Sequence, residues 1–178
     1  RLLNKPRQQD YEMKILGIDP GTQVMGWGVV DSDGTDVSAA GYGVIKVPDK
    51  LQPAEKLNLL YTELLKIIRQ YTPDNIAVEQ PFVAKNIHAA FMVGRAQAIA
   101  LLAAASKKIP AFEYTPAQVK QRVANYGAGS KEQIQEMVKL MLGLKEIPQP
   151  NDAADALAVA LCHAQEAHVN QLLSRQGR

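Results

Sequence analysis

Short apolar runs alternate with longer stretches of helical spacing along the chain. Ile15, Leu16 and Ile18 form a brief β-type run that Pro20-Gly21 stops, which predicts a buried strand ending at Asp19. Gly26 to Asp31 reads as a second strand, Asp33-Gly34 as a turn, and Tyr42 to Val47 as a third strand. Pro53 opens a helix in which Leu57, Leu60, Leu64 and Ile67 or Ile68 recur at three- and four-residue spacing, ending near Tyr71 before Pro73. A fourth strand, Asn75 to Glu79, repeats the grammar of the first: an apolar run, a carboxylate, then a proline at position 81. Asn86 to Ser106 predicts a long helix, mixed early and apolar nearly all round later, so it is either packed inside the domain or set in a subunit interface. Ile109 to Tyr114 predicts a fifth strand, Pro116 to about Asn125 a short helix, and Tyr126 to Gly129 a flexible link. Ser130, with Gln133 three residues on, opens another helix to about Leu142 in capping-box style, and a last helix starts near Asn151. Three strands joined by short turns, followed by alternating helices and strands, imply an α/β fold: a mixed five-stranded sheet, antiparallel first and parallel after, flanked by helices.

Composition narrows the class. The 178 residues suit one domain, and 47% hydrophobic with 21% charged residues is ordinary globular usage, which excludes disorder and a disulfide scaffold. No run of eighteen apolar residues occurs, and the most apolar stretch, Ala96 to Ala105, is too short and alanine-rich to span a bilayer, so a soluble protein with no membrane partner is expected. Residues 1–12 are polar and basic without a signal-peptide core. They read as an N-terminal extension before Met13, with residues 13–168 as the domain and 169–178 as a polar tail that frays. The single cysteine, Cys162, has no disulfide partner or metal-ligand spacing and sits in an apolar helical pattern, which suits core packing in a reducing cytoplasm.

Charge adds a direction rather than an answer. The net charge is only +2, but Lys107, Lys108, Lys120, Arg122 and Lys131 face a single acid, Glu113, within 25 residues of chain. A polyanion could dock on such a segment, although basic patches are also common on ordinary surfaces.

The acids carry the chemistry. Asp152 and Asp155, three positions apart, project from one face of the last helix's first turn, where helix capping alone would also favour Asp. Asp19 and Glu79 each end an apolar strand, and neighbouring strands would bring these ends together. Asp19 taken alone could equally start a turn. Four carboxylates in one cleft cannot stay empty and ionised, since two unit charges about 4 Å apart repel by roughly 4 kcal/mol at an effective dielectric near 20. Hard oxygen donors without His or Cys suit Mg²⁺ or Mn²⁺, and in-line phosphoryl displacement assisted by two divalent ions about 4 Å apart is the chemistry such a set serves.

Four segments then make a specific resemblance. Gly17-Ile18-Asp19-Pro20-Gly21-Thr22, Ala77-Val78-Glu79-Gln80-Pro81-Phe82, the stretch from Phe112-Glu113-Tyr114 to Val119-Lys120, and Asn151-Asp152-Ala153-Ala154-Asp155-Ala156 resemble, in order, the motifs of the RuvC family, the crossover junction endodeoxyribonucleases. The likeness covers roughly Met13 to His168. It implies an RNase H-like fold and a cytoplasmic homodimer that nicks four-way (Holliday) DNA junctions symmetrically in recombination and repair. It also implies two Mg²⁺ ions per site, with Mn²⁺ as substitute, and the branch-migration proteins RuvA and RuvB as partners. On this resemblance Asp19, Glu79, Asp152 and Asp155 are catalytic metal ligands. Some relatives place a histidine where Asp152 stands, so ligand and base both remain open for it. Phe82 falls where the family stacks an aromatic on an unpaired base, a contact of roughly 1 to 3 kcal/mol, against the plainer reading of a core Phe. Lys120 and Lys131 match DNA-contacting positions, with Arg122, Lys107 and Lys85 as neighbours. His88 and His163 read as structural. Symmetric nicking requires a two-fold dimer, and the helix from about Asn86 to Ala105 is the expected interface. Two other readings stay in view: an actin-like ATPase, because Asp-Pro-Gly-Thr after a strand also resembles that phosphate loop, and an RNase H-like nuclease acting on RNA.

Overall fold

The computed structural model describes residues 12–81, 87–124 and 130–176. Phe82, Lys85 and the 126–129 link fall outside the described residues, as does nearly all of the 1–12 extension. Five strands form one sheet: β1 (Met13–Asp19), β2 (Val24–Ser32), β3 (Val37–Lys46), β4 (Asn75–Glu79) and β5 (Ala111–Tyr114), in the order β3-β2-β1-β4-β5. β1 pairs antiparallel with β2 and β2 with β3, while β4 lies parallel to both β1 and β5. The mixed sheet expected from connection lengths is therefore present, with β1 at its centre.

Helices α1 (Pro53–Tyr71) and α2 (Ile87–Ser106) cover one face; α3 (Pro116–Ala124), α4 (Lys131–Met141) and α5 (Asn151–Gln176) cover the other. Side chains alternate along a strand, so each strand feeds both cores. Leu16, Ile18, Ile76 and Val78 face Leu60, Leu64 and Ala100, whereas Ile15 and Ala77 face Leu157, Leu161 and Val138. Cys162 is fully buried in the second core, as its helical pattern suggests.

Helix ends follow local chemistry. Pro53 begins α1 behind a capping box of Gln52 and Glu55, and Thr72 closes it in the left-handed conformation at φ 47°. Ser130 accepts from the Gln133 backbone N–H at 3.3 Å while Gln133 Oε1 accepts from the Ser130 N–H at 2.8 Å, which fixes where α4 starts.

Several features differ from expectation, among them the start of β3, the end of α5 and the apolar length of α2. β3 begins at Val37 rather than Tyr42, because pairing with β2 carries Ser38 and Ala39, whose own strand preference is weak. α5 runs on to Gln176, past the point where the polar tail was expected to fray, since its backbone bonds are satisfied within the helix whatever its side chains. α2, taken over all twenty residues, is long and apolar enough to cross a membrane by length and composition, whereas the expectation above counts only Ala96–Ala105. Its packing is that of a layer helix: Ala96, Ala100, Ala103 and Ala104 are buried with Leu60, Leu64 and Val78, and the opposite face is exposed.

Candidate metal and nucleic-acid site

Asp19 and Glu79 end adjacent parallel strands. Ile18 pairs with Val78, so the two acids that follow leave the sheet side by side. By alternation they point to the same face as Ile15, Gly17 and Ala77, the face under α5. α5 begins at Asn151, and its first turn brings Asp152 and Asp155 to that face from above.

The approach of α5 depends on missing side chains. A Cβ on Gly26 would lie 1.9 Å from the Asp152 carbonyl oxygen, and one on Gly17 would lie 2.1 Å from that of Ala156. Glycine inside a strand marks such a close approach. These two glycines hold no ligand but set the height of the helix that carries two of the four acids. Glycines beside Asp19 are expected from the sequence to permit close approach, but Gly26, inside an apolar strand run, gives only the signal of a strand glycine.

The electrostatics confirm crowding. Burial first, then the charges of Glu79 and Asp155, push the Asp19 carboxyl up to about 8, helped by a hydrogen bond to Glu79 and by Asp152. Asp19 is the donor in that bond, so the pair shares one proton near neutral pH. Burial also raises Glu79, against the lowering effects of the Asp19 hydrogen bond and of Lys120 and Lys131. Asp155 Oδ2 accepts a hydrogen bond from Lys131 Nζ at 2.8 Å. A cleft of about 200 Å³ opens beside these groups, lined by Glu79, Lys120, Lys131, Ile134 and Asp155 among others.

The donor set fits a hard divalent cation in chemistry and charge, since a cation would relieve the repulsion that keeps a proton on Asp19. It is not gathered around one point: among the described residues no group of three His, Cys, Asp or Glu side chains is close enough to hold a metal as it stands. Asp19 is hydrogen-bonded to Glu79, whereas Asp155 is paired with Lys131.

The expected basic residues separate. Lys120 and Lys131 line the cleft. Arg122 lies on the far side of α3 with its guanidinium 4.0 Å from Glu166, in a different depression formed with Gln118, Gln121 and Gln165. Lys107 follows the end of α2 and lines neither this cleft nor the Arg122 depression. His163 is a buried brace: Asn75 Nδ2 donates to its Nε2 at 2.9 Å, and its Nδ1 lies 2.7 Å from the Tyr114 hydroxyl. Burial holds its pKa down to about 4, so it stays neutral and ties β4 and β5 to α5 behind the site. His88 is exposed.

The sheet order and an acid cluster built from β1, β4 and α5 define an RNase H-like nuclease fold. Comparison with known proteins is specific. The family described as crossover junction endodeoxyribonuclease RuvC matches residues 15–163. A RuvC protein of Dehalococcoides mccartyi is 49% identical over 163 residues, covering 92% of this chain and 98% of the relative. A RuvC of Chloroflexus aggregans is 50% identical over 155 residues, covering 87% and 94%. Among solved structures, Thermus thermophilus RuvC in complex with Holliday junction substrate superposes with a TM-score of 0.84 at 36% identity, covering 89% of this chain and 96% of that one. The chain belongs to the RuvC family of crossover junction endodeoxyribonucleases.

Proposed function

We infer that this protein is a structure-selective endonuclease that resolves four-way DNA junctions by paired symmetric nicks in recombination and repair. Family membership supports the activity, and the mutual electrostatic influence of Asp19, Glu79, Asp152 and Asp155, with Lys120 and Lys131 lining the cleft beside Glu79 and Asp155, is the observation that supports this reading of the site. Asp19, Glu79 and Asp155, with Asp152 as a fourth ligand or as the base, would hold Mg²⁺, with Mn²⁺ as substitute and two ions per site. When bound, these supply Lewis-acid polarisation of the scissile phosphate and ease ionisation of the attacking water.

The chain's own groups do the rest. Asp19 and Glu79 stand on rigid strand ends, which fixes their carboxylates against the sheet; Asp155, and Asp152 as ligand or base, are set by the height of α5. Lys120 and Lys131 neutralise the phosphate that enters the cleft, and Phe82 stacks on an unpaired base near the crossover. Arg122, Lys107 and Lys85 stand as outer contacts, of which Arg122 and Lys107 lie away from the cleft. A homodimer supplies two sites for symmetric nicks, with the exposed side of α2 as its interface: Ile87 is 79%, Phe91 61% and Leu102 55% exposed. RuvA and RuvB are the proposed branch-migration partners, and the cytoplasm the location.

Incubating the protein with labelled four-way, duplex and RNA substrates, with and without Mg²⁺, tests this reading. Paired nicks in the four-way substrate alone, requiring the ion, are expected. Equal cleavage of duplex DNA or of RNA would overturn it.

A further inference from the structure

Lys131 occupies an unusual place. It is the first residue of α4, where the helix dipole disfavours a cation, and the Ser130–Gln133 capping box holds it there. Its ammonium reaches across the cleft to Asp155 Oδ2 at 2.8 Å, and its charge also acts on Glu79, Asp19 and Asp152. The side chain is nevertheless 56% exposed, against 25% for Asp155, so it can leave the carboxylate without unpacking anything. Lys120 lines the same cleft and lies near enough to act on Glu79, yet it forms no ion pair among the described residues.

We propose that Lys131 is a resident counter-cation: in the DNA-free protein it occupies Asp155 in place of a divalent ion, and a backbone phosphate entering the cleft draws it away and completes the metal site. This rests on the metal role of the acids given above. Metal and ammonium compete for one carboxylate oxygen, while carboxylate and phosphate compete for one ammonium. Each ligand therefore removes the other's competitor, so DNA and metal bind more tightly together than apart, and the coupling is reciprocal. The acids gather fully only when substrate is present, which keeps divalent charge out of an idle nuclease.

The test is Mn²⁺ binding by the intact DNA-free protein, followed by electron paramagnetic resonance of free Mn²⁺ and by calorimetry at fixed pH and ionic strength. Lys131→Met keeps the apolar stem without the charge and is expected to bind Mn²⁺ about fivefold tighter or more, the lower range of typical site coupling. Lys131→Arg, which keeps the pair, should bind like wild type, and Lys120→Met should gain less than about twofold. An uncleavable four-way junction should tighten Mn²⁺ binding to wild type but much less to Lys131→Met. Unchanged or weaker binding by Lys131→Met, or an equal gain in Lys120→Met, would overturn the proposal. Asp19→Asn separates the two levels: if it abolishes Mn²⁺ binding while Lys131→Met gains nothing, only the counter-cation fails. If Asp19→Asn binds Mn²⁺ normally, the metal assignment fails and the counter-cation with it.

Discussion

Replacing Asp19 by Asn should stabilise the metal-free protein while destroying its activity. In the folded chain the Asp19 carboxyl is pushed from 3.8 to about 8, first by burial and then by Glu79 and Asp155. Between these values the folded state keeps a proton that the unfolded state has lost. The stability it contributes is complete below pH 3.8 and is lost progressively as pH rises toward 8. At about 1.4 kcal/mol per pH unit, the loss from pH 4 to 7 is at most about 4 kcal/mol, and partial solvent access to the site roughly halves it. Asparagine carries no proton to lose, yet its amide can still donate to Glu79, so the variant escapes the penalty. For a chain of this size about 2 kcal/mol corresponds to a rise in Tm of roughly 4 to 8 °C. The assay is thermal denaturation from pH 4 to 8 in chelator, then in Mg²⁺. The two proteins should melt together near pH 4 and diverge toward pH 8, with Mg²⁺ raising only the wild type. Parallel Tm curves across this range, or a variant that melts lower at pH 8, would refute the electrostatic account. Mg²⁺-dependent nicking by Asp19→Asn would refute the catalytic one.

Gly26→Ala would set a Cβ 1.9 Å from the Asp152 carbonyl oxygen, so the first turn of α5 must lift. Cleavage should fall about a hundredfold, the scale of an ångström of misplacement, while junction affinity in a gel-shift assay changes little; wild-type turnover would show that α5 does not set the site. Lys120→Ala should weaken junction binding and reduce the slope of log affinity against log salt by about one, as loss of one phosphate contact requires. An unchanged slope would remove Lys120 from the DNA path. Phe91→Glu places a charge on the exposed face of α2, where Arg95 lies 4.9 Å over the Phe91 ring, and should yield monomers in sedimentation. A persistent dimer would move the interface elsewhere.

Much of the architecture was legible because period and punctuation agree with tertiary packing. Ile15 to Ile18 and Ile76 to Val78 are apolar at every position because both faces of the central strands are covered, and Pro53, Ser130 and Gly34 mark ends through local chemistry that needs no neighbour. The start of β3 was not legible, since Ser38 and Ala39 are strand only through β2. The acids stood out in the sequence as candidates because each falls at the end of an element, where a side chain is free to meet others. The basic residues could not be sorted that way: Lys120 and Arg122 are two positions apart on α3 and so face different ways, one into the cleft and the other toward Glu166.

Sequence by itself determined the elements and their order and offered four candidate carboxylates, because these depend on local propensity, spacing and residue type. It also carried the family likeness. Only the tertiary structure decided how the acids meet: parallel register sets Asp19 beside Glu79, and absent side chains at Gly17 and Gly26 let α5 descend on them. Lys131, 24 residues from Asp155 in the chain, pairs with it because two helix N-termini converge at the cleft. Such contacts join residues far apart in sequence, and their energy depends on distance and burial rather than on composition.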